Sequence, residues 1–236
     1  MKLVNAMLGI NIPFEEGKPE FLILENTAFL NQFIREMNLQ CSGESGNFLL
    51  SEEKELRISK VCQFLLEPFT LDLNSKKIMT LLYRKLGEAG EGYLEQKGRV
   101  LSESLSLIDQ CIVSSGIQNL TCNADFSWND LFKLLDVKTD TQYENLLDKM
   151  ISYLKILADL GEVRLLAVLN FAAFFDREEM QEIIRMARYL KINILFVEKR
   201  EPEDWYADEN RYIIDKDNCI IVRKSQVALD NLHLSK

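Results

Sequence analysis

At 236 residues, 47% of them apolar, the chain can bury a core of its own and is neither disordered nor fibrous. Its formal net charge of −9 argues against a nucleic-acid partner, unless Lys and Arg are gathered on one surface. The five cysteines (Cys41, Cys62, Cys111, Cys122, Cys219) are widely spaced and form no C-x-x-C pair, which argues against zinc and disulfide frameworks and for thiols in a reducing cytoplasm. No stretch is long and apolar enough to span a bilayer, and Met1–Leu3 leads into no signal-like run, so no membrane partner is expected.

In chain order, Phe21–Leu24 reads as a strand. Asn26 or Thr27 then caps a helix with Phe29, Leu30, Phe33, Ile34 and Met37 on one face. After a Ser/Gly/Glu turn region, Phe48–Leu50 and Leu56–Ile58 suit a hairpin, and Pro68 breaks any helix between Val61 and Leu73. Ser75 is placed to cap a helix carrying Ile78, Met79, Leu82 and Leu86. The segment Gly87–Gly92 is glycine-rich and predicts a turn. A second helix follows, with Leu94, Leu101, Leu105, Ile108 and Ile112 at coiled-coil-like spacing. Residues 74–115 therefore read as a helical hairpin, a leg inserted into an α/β head formed by 1–73 and 116–236.

Leu120–Asn123 is a candidate strand. Ser127 with Asp130, and Thr141 with Glu144, suggest capping boxes for two helices, the second inward-facing through Leu147, Met150, Ile151, Leu154 and Leu157 and closed by Gly161. The run Arg164–Glu201 reads strand, helix, strand: Leu165–Leu169, a helix capped by Asp176 and Glu179, then Ile194–Val197. Ile220–Val222 offers a last strand. Alternating strands and helices predict an α/β class, with a mostly parallel sheet and right-handed crossovers.

That skeleton is the one nucleotide-binding enzymes use, but the chemistry is missing. No glycine follows Gly161 and no G-x-x-x-x-G-K-[ST] occurs. Phe21–Leu24 runs into Glu25–Asn26–Thr27, which offers a carboxylate where a phosphate would sit. His233 is the sole histidine and lies in a polar tail, which removes Ser-His-Asp and Cys-His catalysis and His-rich metal sites. Asn123, Asp125 and Asp130 flank a strand-to-helix turn: their oxygens suit Ca²⁺, while capping and dipole compensation explain Asp130 equally well. Glu198–Glu209, with Trp205, alternates in sign and fits a solvated loop or a subunit contact. Basic residues gather modestly at Lys54, Arg57 and Lys60, at Lys76, Lys77, Arg84 and Lys85, and at Lys133 and Lys138. Each group fits a solvated face, and matters electrostatically only if copies assemble.

Three collinear segments carry a resemblance: the opening INIPFEEGKPEFLILEN, the middle LDLNSKKIMTLLYRKL, and RLLAVLNFAAFF with INILFVEKREPED. Together they make the chain similar to the short form of the ring-forming adaptation proteins of type II-A CRISPR systems, the Csn2 family. The resemblance spans essentially the whole chain, and the strand–helix–strand segment is its most specific part. It implies a degenerate P-loop-like head without nucleotide hydrolysis, a protruding helical leg, and a homotetrameric ring. The ring would bind ends of double-stranded DNA, slide along it, hold Ca²⁺ among acidic residues, and serve spacer acquisition beside the CRISPR integrase complex and the effector nuclease, with no catalysis. On this chain the resemblance places the acidic segment at Asn123–Asp125 with Asp130 on the following helix, poorer in carboxylates than is usual for the family. It places Lys133 after that helix's first turns, and Lys54 and Lys60 in a lysine-bearing segment; Arg57 and Lys138 join them as neighbouring cations.

A ring reconciles DNA binding with an acidic chain. Duplex DNA carries about one negative charge per 1.7 Å of axis, and symmetry would repeat each cation around the hole. Two other readings stand beside this one: a divergent nucleotide-dependent enzyme of P-loop ancestry, and a protein-interaction scaffold docking through the leg.

Overall fold

A computed structural model describes residues 1–15, 18–201 and 209–224. Trp205 and His233 lie outside the described residues. The chain divides into two compact units, one of residues 1–71 with 142–236 and one of residues 72–141.

The larger unit contains two sheets. Short strands β1 (Lys2–Asn5), β2 (Ile10–Pro13), β4 (Leu49–Ser51) and β5 (Glu55–Leu56) form an antiparallel sheet in the order β2-β1-β4-β5. The second sheet uses β3 (Glu20–Leu24), β6 (Cys62–Leu65), β7 (Leu165–Leu169), β8 (Asn193–Glu198), β9 (Asn210–Ile214) and β10 (Ile220–Arg223) in the order β10-β9-β3-β8-β7-β6. Five of these run parallel and β10 is antiparallel at the edge. The α/β class and the mostly parallel sheet are as expected; of the antiparallel sheet only the β4–β5 hairpin, pairing Leu50 with Leu56, was. All five residues of β3 are buried, as a central parallel strand covered on both faces requires.

Alternation along β3 sorts the core. Leu22 and Leu24 join Leu195, Val197 and Leu165 on one face. There they meet Leu30, Phe33 and Met37 of α1 (Thr27–Cys41) and Leu3, Ile12, Phe48 and Leu50 from the antiparallel sheet and its approach. Phe33 packs edge-on against Phe48 at 5.1 Å and Phe64 at 6.0 Å. On the opposite face Phe21 stacks on Phe196 at 4.6 Å. Nearby, α7 (Arg177–Tyr189) packs on β8 and on α6 (Leu146–Leu160).

Several local expectations hold. Asn26 caps α1, and Asp176 with Glu179 forms a reciprocal capping box on α7. Gly161 ends α6 at φ +72°, a conformation costly for residues with a Cβ. Others are corrected. Helix α6 is capped by Asn145, whose side chain accepts from Asp148 N–H, so Thr141 and Glu144 make no box there. Ile58 opens a short helix α2 (Ile58–Val61) rather than extending β5. Pro68 begins a single 3-10 turn, Pro68–Thr70, where its missing N–H is not needed.

The smaller unit differs most from its sequence reading. Helix α3 (Lys76–Gly90) runs through the glycine-rich segment, with Gly90 and Glu91 at helical φ and ψ. A 3-10 segment, Glu91–Tyr93, leads into α4 (Leu94–Ser115). Glycine permits a reversal but does not impose one, and the interspersed Glu and Ala favour helix. No antiparallel pairing of α3 with α4 forms. The neighbour of α3 is α5 (Trp128–Leu134), through Tyr83–Phe132 at 5.6 Å and the indole of Trp128 beside Gly90; within α5, Trp128 stacks on Phe132 at 6.0 Å. Ser75 holds the N-cap position of α3 without a side-chain capping bond. Leu120–Asn123 is not a strand, and residues 116–141 belong to this unit rather than to the head. Asn74 ties the ends of the unit together by exchanging two hydrogen bonds with the Thr139 backbone, at 2.9 and 3.1 Å.

Candidate nucleic-acid interface

The first basic group is a continuous surface feature. Lys54 sits in the turn between β4 and β5, Arg57 occupies the N-cap position of α2, and Lys60 lies in its last turn. All three are exposed, and none makes an ion pair among the described residues. The alternation that exposes them buries Ile58 beneath, so the segment is anchored while its charges face solvent. The strand pair is also fastened to the parallel sheet by an ion pair from Arg164, just before β7, to Glu52.

Parallel register extends this feature along one rim. The amino ends of neighbouring strands share one edge of a parallel sheet, and here four of the five strands are preceded by a cation within two residues. These are Lys18 before β3, Lys60 before β6, Arg164 before β7 and Lys191 before β8. The sequence reading missed Lys18, Arg164 and Lys191. Their signal was available as a cation at the same offset before each strand, but it has meaning only once the strands are known to be side by side. Acids are interspersed: Glu15 pairs with Lys18 at 2.7 Å and Glu209 with Arg211 at 2.8 Å.

The opposite rim, where open parallel sheets bind nucleotides, is closed by polar side chains. Asn26 Oδ1 accepts from the N–H groups of Ala28 (2.9 Å) and Phe29 (3.4 Å), the donors a phosphate would need, and its amide donates to Asn218 Oδ1 at 2.8 Å. Buried Glu198, ending β8, accepts from Ala172 N–H at 3.1 Å. Burial pushes its carboxyl up to about 7.

The second basic group, Lys133 and Lys138, lies in the smaller unit, and both residues are exposed. Lys138 is ion-paired with Asp136, which raises its pKa; Lys133 makes no ion pair among the described residues.

Of the oxygen donors expected for Ca²⁺, one oxygen of Asp125 and one of Asp130 are hydrogen-bonded to neighbouring groups. Asp125 Oδ1 accepts from Phe126 N–H at 2.8 Å and Lys97 Nζ at 3.3 Å, which lowers its pKa. Asp130 Oδ2 accepts from Ser127 Oγ (2.6 Å) and N–H (2.9 Å) in a capping box, and the same bonds hold its pKa down. Asn123 lies in the exposed coil before them. Among the described residues no three or more His, Cys, Asp or Glu gather into a cation cage. Within one chain these residues do not fit the six to eight oxygens Ca²⁺ takes.

Residues 40–218 match the family model described as CRISPR-associated protein (Cas_Csn2). The CRISPR-associated protein Csn2 of Enterococcus faecalis is 24% identical over 210 residues, covering 85% of this chain and 93% of that protein. Its namesake from Streptococcus agalactiae is 21% identical over 225 residues, covering 91% and 98%. Among solved structures, cbiO1 from Clostridium perfringens, part of the ABC transporter complex cbiONQ, superposes with a TM-score of 0.48 at 12% identity, over 96% of this chain and 84% of that one.

Proposed function

This chain belongs to the CRISPR-associated Csn2 family, and from that premise we propose that it clamps the ends of double-stranded DNA as a closed, non-catalytic homotetrameric ring in support of spacer acquisition. The observation that carries the reading is the exposed cationic segment Lys54–Arg57–Lys60, continued by Arg164 and Lys191 along the amino rim of the sheet. A chain of net charge −9 meets a polyanion only where its cations are gathered, and ring symmetry multiplies each one. Contacts to the phosphate backbone carry no sequence information, so a clamp built this way slides. Lys133 and Lys138 add positive charge from the smaller unit. The integrase complex and the effector nuclease are the partners this role would require.

The nucleotide-enzyme reading is disfavoured because Asn26 already satisfies the N–H groups at the start of α1. The scaffold reading keeps one observation of its own: the α4 stripe is only partly covered, with Leu94 56% and Ile108 40% exposed and Leu101, Leu105 and Ile112 half-buried. That face suits contacts between copies as well as contacts with other proteins.

Binding of linear duplex and of the same duplex closed into a circle, measured across a salt series with assembled protein, tests the proposal. The expected result is salt-sensitive retention on linear DNA and little on the circle. Equal retention on both, or a flat salt response, overturns it. A solution mass of one protomer with and without Ca²⁺ would remove the ring.

A further inference from the structure

Strand β10 closes one side of the larger sheet, and among the described residues its only strand neighbour is β9. Its other long side is open. The three apolar residues Ile220, Ile221 and Val222 are 55%, 39% and 49% exposed. Alternation puts Ile220 and Val222 on one face and Ile221 on the other, so apolar surface is open on both faces. Edge strands that stay single are usually guarded by a charge or a proline among their residues. Ile220–Val222 holds neither.

The ladder with β9 decides which main-chain groups face the open side. Asp215 N–H donates to Cys219 O at 3.1 Å, which makes those two a hydrogen-bonded pair. Such pairs alternate in an antiparallel ladder, and the register sets Ile221 opposite Ile213 and Arg223 opposite Arg211. Ile221 and Arg223 therefore bond to β9, while Ile220 and Val222 turn their N–H and C=O groups outward. Two outward residues flanking one inward residue make a self-complementary edge. A second copy laid antiparallel, with the two-fold axis at Ile221, sets Ile220 opposite the partner's Val222 and Val222 opposite the partner's Ile220. Each of these pairs exchanges both main-chain hydrogen bonds, and every apolar residue of the strand meets another.

The charges suit this register. Lys224 is exposed and makes no ion pair among the described residues. It falls opposite the partner's Asn218, next to the partner's Asp217, a position exposed in this chain. Arg223 is already held by Glu201 at 2.8 Å and adds no bare charge. Lys216, at the tip of the turn, stays outside the paired residues.

We propose that β10 pairs with β10 of a second copy of this chain, joining two six-stranded sheets into one. The pairing names a contact for the assembly proposed above, but it rests on the strand and not on DNA binding.

Disulfide trapping tests it, in the full chain with the exposed Cys111, Cys122 and Cys219 replaced by Ser. Ile221→Cys places two thiols on directly opposed residues, whose Cα atoms stand about 4.5 Å apart, within disulfide reach. Lys224→Cys is the control, because the same symmetry separates its two copies by about six residues, roughly 20 Å. The expected result is a covalent dimer from Ile221→Cys and none from Lys224→Cys under mild oxidation. No dimer from either, or equal dimer from both, overturns the pairing. Ile221→Lys sets like charges against each other across the axis. It should raise the dissociation constant seen by light scattering at least about tenfold, with a urea melt like the parent's. An unchanged mass across the dilution series overturns the pairing as well. A dimer that cross-links but binds no duplex keeps the pairing and sinks the clamp. An assembly that holds duplex while Ile221→Cys stays uncross-linked keeps the clamp and sinks the pairing.

Discussion

The carboxyl of Glu20, fully buried at the start of β3, accepts a hydrogen bond from the Asn210 side-chain amide of β9 at 3.1 Å. Its second oxygen has no hydrogen-bond partner among the described residues. Burial, only partly offset by Asn210, pushes this carboxyl from its ordinary 4.5 up to about 7. Glu198 is raised to about 7 for the same reason. Both acids therefore hold a proton in the fold at pH values where the unfolded chain has released it.

The sign of the pH dependence follows. For a group whose folded pKa is raised, the folded state binds more protons, so its contribution is complete below about pH 4.5 and lost as pH rises through about 7. Urea melts should show stability falling between pH 5 and 7.5, by on the order of 2 kcal/mol for each acid. Glu20→Gln should flatten the slope, because a neutral amide does not titrate. A stability that rises over this window would contradict the assignment.

Gly90→Ala should destabilise the smaller unit. A Cβ at this position would stand 2.6 Å from Trp128 Cε2 in the packed indole. Alanine gains about 1 kcal/mol of helix propensity over glycine, but overpacking costs about 1–3 kcal/mol. The net expectation is a loss of about 1 kcal/mol, seen as a lower thermal midpoint with altered tryptophan fluorescence. A raised midpoint would show that the indole moves aside freely.

Replacing Lys54, Arg57 and Lys60 by Gln should weaken duplex binding at low salt and make its salt dependence shallower. The slope of log K against log salt should lose about 0.9 for each phosphate contact removed. All three side chains are exposed, so folding stability should change by no more than about 0.5 kcal/mol per site. An unchanged slope in fluorescence anisotropy would place the DNA elsewhere.

Asn26→Ala should cost about 1–2 kcal/mol, since it removes the α1 cap and the bond to Asn218 together. Asn26→Asp keeps an acceptor at the cap and should recover most of the loss in a denaturant melt. Equal losses in both variants would mean that the bond to Asn218, not the cap, is what matters.

The parts of the fold legible in the sequence are those fixed locally. Asp176 with Glu179 and Gly161 are start and stop signals that act within a few residues, and they marked the strand–helix–strand unit correctly. Strands β1, β2 and β9 went unread because four or five residues such as Lys2–Asn5 gain their identity from partners far along the chain. Gly87 and Gly90 misled because a glycine can serve a turn or a close approach, and only the packing of Trp128 decides between them. The candidate interface was half legible. Lys54, Arg57 and Lys60 are neighbours in sequence, whereas Lys18, Arg164 and Lys191 become neighbours only through parallel register.

The plugging of the carboxyl rim by Asn26 and Glu198 has a practical corollary. Architectures of this kind usually keep their chemistry there, and engineers avoid touching it. In this protein the loop Asp215–Cys219, at that end of the sheet, is the place to graft a fluorophore or an affinity handle, for instance on exposed Lys216. The same graft in the turn around Lys54 would fall on the surface proposed above to meet DNA.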